Sequence, residues 1–125
     1  MKLTLALAQI NTTLGVLSAN LELHLAKIAE ARQTGAELLI FPELSLTGYV
    51  LQDLTPAVAI QPSAADPIFK PLLEASRSID LVVCFVEEDK RNRFFIASAY
   101  LSKGEVLHVH HKVYLPTYGL FDEGR

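Results

Sequence analysis

The sequence is poor in cysteine and has no tryptophan: Cys84 is its one thiol in 125 residues. A single cysteine excludes a disulfide within the chain, which is typical of a reducing compartment and predicts a cytoplasmic protein. Basic residues are also scarce, since 11 of them stand against 14 acidic ones and the net charge is −3. Nucleic-acid-binding surfaces normally need an excess of basic side chains, so we expect no nucleic-acid partner.

Long apolar runs are absent too, and no segment approaches the roughly 20 residues that a membrane-spanning helix needs. The apolar start, residues 1–9, is short, lacks a small-residue cleavage site and leads directly into polar residues 11–13. We therefore expect neither a signal peptide nor a contact with membranes. What is present is a length suited to one small domain, with a mean hydropathy of +0.28. That value is high for a free domain and predicts apolar surface that meets partners.

Blocks of apolar residues alternate with polar segments in a pattern that predicts an α/β domain. Strands are predicted at residues 2–10, 37–41, 80–86, 94–101 and 106–114, and helices at about 18–34 and 67–78. Ser18 or Asn20 is expected to cap the first helix and Asp66 the second. The first helix should bury Leu21, Leu25, Ile28 and Ala29. This order of elements predicts a mixed sheet with helices on one face.

A glutamate stands at the end of the second predicted strand, where an acid is costly. Residues 38–41 read as a strand that is buried on both faces, and Pro42-Glu43 follows it directly. The carboxyl ends of strands in open α/β sheets are common positions for chemistry, so Glu43 is a candidate catalytic carboxylate. The alternative is an ordinary surface acid after a core strand.

A lysine in the last predicted strand is the second candidate. Lys112 lies in a mostly apolar segment, and the acids Asp122 and Glu123 follow it. A buried lysine beside carboxylates can stay charged and stabilise a developing oxyanion. The alternative is an edge-strand lysine that discourages aggregation. His108 and His110 share a strand face, but no third ligand stands at a recognisable spacing, so we expect no metal and no other cofactor.

Together these segments resemble the nitrilase superfamily of carbon–nitrogen hydrolases. Residues 41–49 match its glutamate motif, residues 110–116 look like its lysine motif, and residues 1–11 are similar to its first strand. Residues 118–123 resemble the segment after the lysine, especially in the glutaminase domain of glutamine-dependent NAD synthetases. The motifs stand in the family's order, and the resemblance covers all 125 residues.

The resemblance implies a four-layer α-β-β-α sandwich, of which residues 1–125 form the N-terminal half. It implies that Glu43 is the general base, that Lys112 stabilises the oxyanion and that Glu123 is a supporting carboxylate. Tyr118 would line the substrate pocket, while Tyr49 either does the same or packs as a strand-end aromatic. The implied partners are a small-molecule amide, such as the glutamine side chain, and further copies of the chain in a homo-oligomer.

One departure from the family concerns the nucleophile, a cysteine that follows the lysine motif. Cys84 precedes Lys112 and lies in an apolar strand, which is typical of an inert core residue. We therefore expect a partial domain, truncated before the nucleophile and inactive alone, from a full-length amidase or glutaminase. A non-catalytic or degenerate binding module of the same fold is the alternative. We also expect the sheet face without helices to associate with another chain or copy.

Overall fold

The computed structural model of the protein describes residues 2–48, 58–91 and 93–112. The helices are α1 (Leu17–Gln33) and α2 (Phe69–Ala75). The strands are β1 (Leu5–Leu7), β2 (Leu38–Ile40), β3 (Asp80–Glu88), β4 (Phe94–Ser102) and β5 (Glu105–His111). The predicted α/β class is confirmed, and the elements follow one another in the predicted order.

The strands form one mixed sheet in the order β1-β2-β3-β4-β5. β1, β2 and β3 are parallel, and Leu39 pairs with both Ala6 and Leu81. β3, β4 and β5 are antiparallel, with a register shift between Tyr100 and Leu101. The parallel half is connected through helices and the antiparallel half through tight turns, as these two kinds of pairing require.

One side of the sheet, here called the covered face, packs against both helices. Its strand side chains are fully or almost fully buried, and they form one cluster with Ile28 and Ala31 of α1 and Phe69 and Leu72 of α2. They are Leu39, Leu81, Val83, Phe85, Ala97, Ala99 and Leu101. Alternation along a strand places the neighbouring residues on the opposite side, here called the open face. There Leu5 and Leu7 are 52% and 75% exposed.

Helix α1 differs from its prediction in the residues that it buries. It begins at Leu17 after Val16, and no side chain caps its first turn, so Ser18 and Asn20 are not caps. The predicted face is wrong in part, because Ala29 is exposed and Leu21 and Leu25 are only half-buried. The buried positions are Asn20, His24, Ile28 and Ala31. Two polar residues can occupy this face because both have buried hydrogen-bond partners.

The remaining differences lie at the ends of elements. Helix α2 is shorter than predicted, but the Asp66 carboxylate accepts hydrogen bonds from the amides of Ile68 and Phe69, as a capping side chain does. β1 covers three residues of the predicted nine, while β3 continues to Glu88. The longer β3 follows from its hairpin with β4, in which the Asp89 carboxylate accepts from the amides of Arg91 and Arg93.

Candidate active site

Glu43 leaves the sheet at the carboxyl end of β2, where the sequence predicted it. The Phe41 amide still donates to the Val82 carbonyl, and a turn follows in which the amides of Ser45 and Gly48 donate to Pro42 and Leu44. Leu44 has a φ of 53°, which lies in the left-handed region that residues other than glycine rarely adopt. The turn therefore holds an uncommon backbone shape directly after the glutamate.

Lys112 follows β5 and meets Glu43 on the open face. Its amide donates to the Ile96 carbonyl at 2.9 Å, which continues the β4–β5 pairing by one residue. Its Nζ donates to Glu43 Oε1 at 2.8 Å. The side chains of Lys112 and Glu43 are 31% and 37% exposed. An ion pair this exposed contributes only about 0–1 kcal/mol to stability, so stabilisation of the fold is a weak explanation for the presence of this pair.

A cavity of about 270 Å³ lies beside this ion pair. It is lined by Glu43, Cys84, Ile96, Ala97, Ser98, His110 and Lys112. Cys84 pairs with Ser98, and Ser98 pairs with His110, so three neighbouring strands present these side chains to one face. The volume suits a molecule smaller than a typical drug-sized ligand.

Cys84 is buried, as predicted, with 9% of its surface exposed. Its Sγ lies 3.9 Å from the Phe41 carbonyl oxygen, to which the thiol donates. Burial raises the pKa of the thiol to about 11, the negative charge of Glu43 acts in the same direction, and a backbone hydrogen bond at Leu44 opposes both. The thiol is therefore protonated at neutral pH. Its place beside Glu43 and Lys112 was not predicted.

His24 and Asn20 are residues near the site that the sequence analysis missed. His24 lies between the Asn20 carbonyl oxygen, 2.6 Å from Nδ1, and Ser45 Oγ, 2.8 Å from Nε2. Its ring stacks on the Phe41 ring, with the two ring centroids 4.2 Å apart. Burial lowers the pKa of His24 to about 4, although the hydrogen bond to Asn20 acts in the opposite direction. The available signal was spacing: Asn20, His24 and Ile28 recur every fourth residue on one helix face.

The other histidines near Lys112 contact protein groups. His111 Nε2 is 2.9 Å from Glu87 Oε1, and its ring stacks on Phe95 at 4.3 Å. His110 lines the cavity. Across residues 2–48, 58–91 and 93–112, no group of three or more His, Cys, Asp or Glu side chains could hold a metal ion. The predicted site residues Tyr49, Tyr118 and Glu123 lie outside these ranges.

These observations define a class of protein: an α/β chain with a glutamate at the end of one strand and a lysine from another strand in contact with it. The profile of the family described as "Carbon-nitrogen hydrolase" matches residues 4–124, and the chain belongs to this family. In the part of the chain that the structure describes, no helix is long and apolar enough to cross a membrane.

Within this family, the chain is similar in sequence to glutamine-dependent NAD(+) synthetases. The chain is 34% identical over 124 residues to the glutamine-dependent NAD(+) synthetase of Thermotoga maritima. It is also 34% identical over 130 residues to the enzyme of the same name from Aquifex aeolicus. The matches cover 99% and 98% of this chain but only 21% of each relative. The chain therefore spans about a fifth of the length of these curated relatives.

Solved structures confirm the fold. The chain superimposes on glutamine-dependent NAD+ synthetase from Acinetobacter baumannii with a TM-score of 0.79 and 30% identity, covering 96% of this chain and 22% of that one. An amidase from Nesterenkonia sp. matches with a TM-score of 0.81 and 29% identity, covering 98% of this chain and 46% of the amidase. The resemblance to the nitrilase superfamily stated above is thereby confirmed.

Proposed function

We propose that this chain supplies the general base and the oxyanion-stabilising cation of an enzyme that hydrolyses a small-molecule amide. The observation that carries the proposal is the 2.8 Å contact between Lys112 Nζ and Glu43 Oε1 in a cavity on the open face. Acyl transfer from an amide needs a general base and a group that stabilises the oxyanion, and a carboxylate and an ammonium can fill these two roles. The similarity to glutamine-dependent NAD synthetases favours the glutamine side chain as the amide.

In the proposed mechanism, the Glu43 carboxylate accepts the proton of a cysteine thiol, and the thiolate adds to the amide carbonyl carbon. The Lys112 ammonium stabilises the negative oxygen of the tetrahedral intermediate. As the intermediate collapses, Glu43 returns that proton to the amide nitrogen, which leaves as ammonia, and a thioester forms. Glu43, again a carboxylate, then deprotonates the water that hydrolyses the thioester to the acid, and it gives this proton to the departing thiolate, which restores the thiol.

Cys84 is a poor nucleophile for this reaction, because burial and Glu43 raise its pKa to about 11. We propose that the nucleophile is instead a cysteine of a longer, full-length protein, and that the 125-residue chain is inactive alone. Glu123 as a supporting carboxylate and Tyr118 and Tyr49 as pocket residues remain part of the proposal. We also propose a cytoplasmic location and a homo-oligomeric assembly, as expected from the sequence and the family resemblance.

Ammonia release from glutamine tests the proposal in the full-length protein. Glu43→Gln and Lys112→Met should each lower kcat by about 100- to 1,000-fold, the usual effect of removing a group that stabilises the transition state. The matched controls are Lys27→Met and Glu30→Gln, which break an exposed ion pair of 3.3 Å on α1 and should leave kcat unchanged. The 125-residue chain should release no more ammonia than its Glu43→Ala variant.

The same measurements separate the enzyme from the alternative, a non-catalytic or degenerate module of this fold. An active full-length protein whose rate is insensitive to Glu43→Gln and Lys112→Met contradicts the proposed roles. A full-length protein that releases no ammonia and binds glutamine or another amide without turnover supports the binding module instead.

A further inference from the structure

The turn after Glu43 is joined to α1 by hydrogen bonds between buried groups. The Asn20 carbonyl oxygen can only accept, so His24 Nδ1 carries the ring proton and donates to it at 2.6 Å. His24 Nε2 is then unprotonated and accepts the hydroxyl proton of Ser45 at 2.8 Å. His24 is fully buried and Ser45 almost so. The hydrogen bonds therefore fix both the tautomer of His24 and the orientation of the Ser45 hydroxyl.

Asn20 forms a second connection to the same turn. Its Nδ2 donates to the carbonyl oxygens of Leu46 and Thr13, each at 2.8 Å, and its Oδ1 accepts from the Thr13 amide at 2.7 Å. One buried side chain thus ties the segment before α1 to the turn that follows β2. Loss of this side chain would remove the Asn20 hydrogen bond from the buried Leu46 carbonyl, which is costly.

The turn needs such support because its backbone shape is uncommon. Leu44, the residue after Glu43, has a φ of 53°, and a left-handed residue other than glycine persists where the surroundings over-determine it. Residues 45 and 46 carry the hydrogen bonds to His24 and Asn20. The direction in which the Glu43 side chain leaves the chain depends on this turn.

We propose that His24 and Asn20 are positioning residues that hold the turn at residues 44–46, so that the Glu43 carboxylate faces Lys112. The imidazole suits this role because it donates through Nδ1 to the Asn20 carbonyl and accepts through Nε2 from Ser45 at the same time. The consequence for catalysis rests on the proposed function, whereas the consequence for the geometry of the cavity does not.

Cys84 is a natural reporter of that geometry, because its thiol contacts Phe41 and lines the cavity beside Glu43. In the 125-residue chain, His24→Leu removes both hydrogen bonds and keeps a side chain of similar bulk. His24→Gln keeps an acceptor for Ser45. The control is Ile28→Ala, one helical turn further along the same buried face. Urea unfolding of each variant gives the stability loss against which labelling is compared.

The rate of Cys84 alkylation by iodoacetamide at pH 8 should rise at least about tenfold in His24→Leu, equivalent to one unit of thiol pKa. His24→Gln should restore the slow rate to within about threefold, as expected for a retained hydrogen bond. Ile28→Ala, at an equal or larger loss of stability, should label more slowly than His24→Leu. Equal rates at matched stability in the two variants, or no change in His24→Leu, would overturn the positioning role.

The full-length protein separates this inference from the proposed function. His24→Leu should lower kcat for ammonia release at least tenfold with little change in KM, since a small displacement of the base acts on the chemical step. His24→Gln should recover most of kcat. If the unmodified full-length protein is inactive, the proposed function fails, and the labelling comparison still decides the positioning role.

Discussion

The covered and open faces of the sheet are built from the same strands but differ in what their side chains contact. On the covered face, the rings of Phe85 and Phe69 pack edge to face with their centroids 4.9 Å apart, and both side chains are fully buried. On the open face, Leu7 is largely in water, and Glu43 and Lys112 meet across a cavity. One face therefore supplies most of the stability of the fold, and the other carries the Glu43–Lys112 ion pair and its cavity.

The largest expected effect comes from a substitution on the covered face. Phe85→Ala should lower the free energy of unfolding by about 3–5 kcal/mol, because it leaves a cavity in a close-packed core. Leu7→Ala on the open face should change it by less than about 0.5 kcal/mol. Urea denaturation at the lowest measurable protein concentration compares the two. A similar loss in both variants would remove the distinction between the faces.

Acid should weaken the contact between α1 and the turn after β2. The folded pKa of His24 is lowered to about 4, from an ordinary value of 6.5, by burial. Between these two pH values the unfolded chain binds more protons at His24 than the folded chain does. The contribution of His24 to the free energy of unfolding is therefore complete above pH 6.5 and is lost as the pH falls towards 4. The difference is about 3 kcal/mol over that interval.

Urea unfolding at pH 7.5 and pH 4.5 measures this effect. The matched variant is His24→Leu, which carries no titrating group at position 24 and should lose less stability between the two pH values. An identical fall in the variant would assign the acid sensitivity to other groups.

Cys84 should react slowly although it lies on the open face. Its pKa of about 11, against an ordinary value of 9.0, lowers the thiolate fraction at pH 8. The difference of two units corresponds to about a hundredfold slower alkylation than a free thiol. Iodoacetamide labelling of the folded and urea-unfolded chain gives the comparison. Labelling of the folded chain as fast as that of a free thiol would show that the cavity side of β3 is open to reagents.

The open face should also drive association. Exposed leucines such as Leu5 and Leu7 each contribute roughly 1.5–3 kcal/mol when fully buried, so contact with a second apolar surface is favourable. Leu7→Lys should weaken self-association at least about tenfold, which corresponds to 1.4 kcal/mol. Sedimentation equilibrium of the chain and the variant tests this. A monodisperse 13.8 kDa monomer with a cooperative melt at tens of micromolar would refute the predicted association.

Local pattern was enough to predict the element types and the two charged site residues. An apolar run followed by Pro42-Glu43 is readable in the sequence because burial of the strand and the cost of the acid are both local properties. The same holds for Lys112 in its apolar segment. In the structure the Lys112 Nζ and Glu43 Oε1 atoms are 2.8 Å apart. The catalytic roles of both residues remain predictions.

Tertiary structure alone decided which other side chains join the site. Cys84 lies beside Glu43 because β3 pairs with β2 and β4 in a particular register, and register depends on partners distant in sequence. His24 and Asn20 are buried because carbonyl and hydroxyl groups of another segment satisfy their hydrogen bonds. A hydropathy pattern treats both as surface residues, since it contains no information about distant partners. The sequence by itself therefore determined the positions of the charged residues Glu43 and Lys112 after their strands. Tertiary packing decided which other side chains contact and support them.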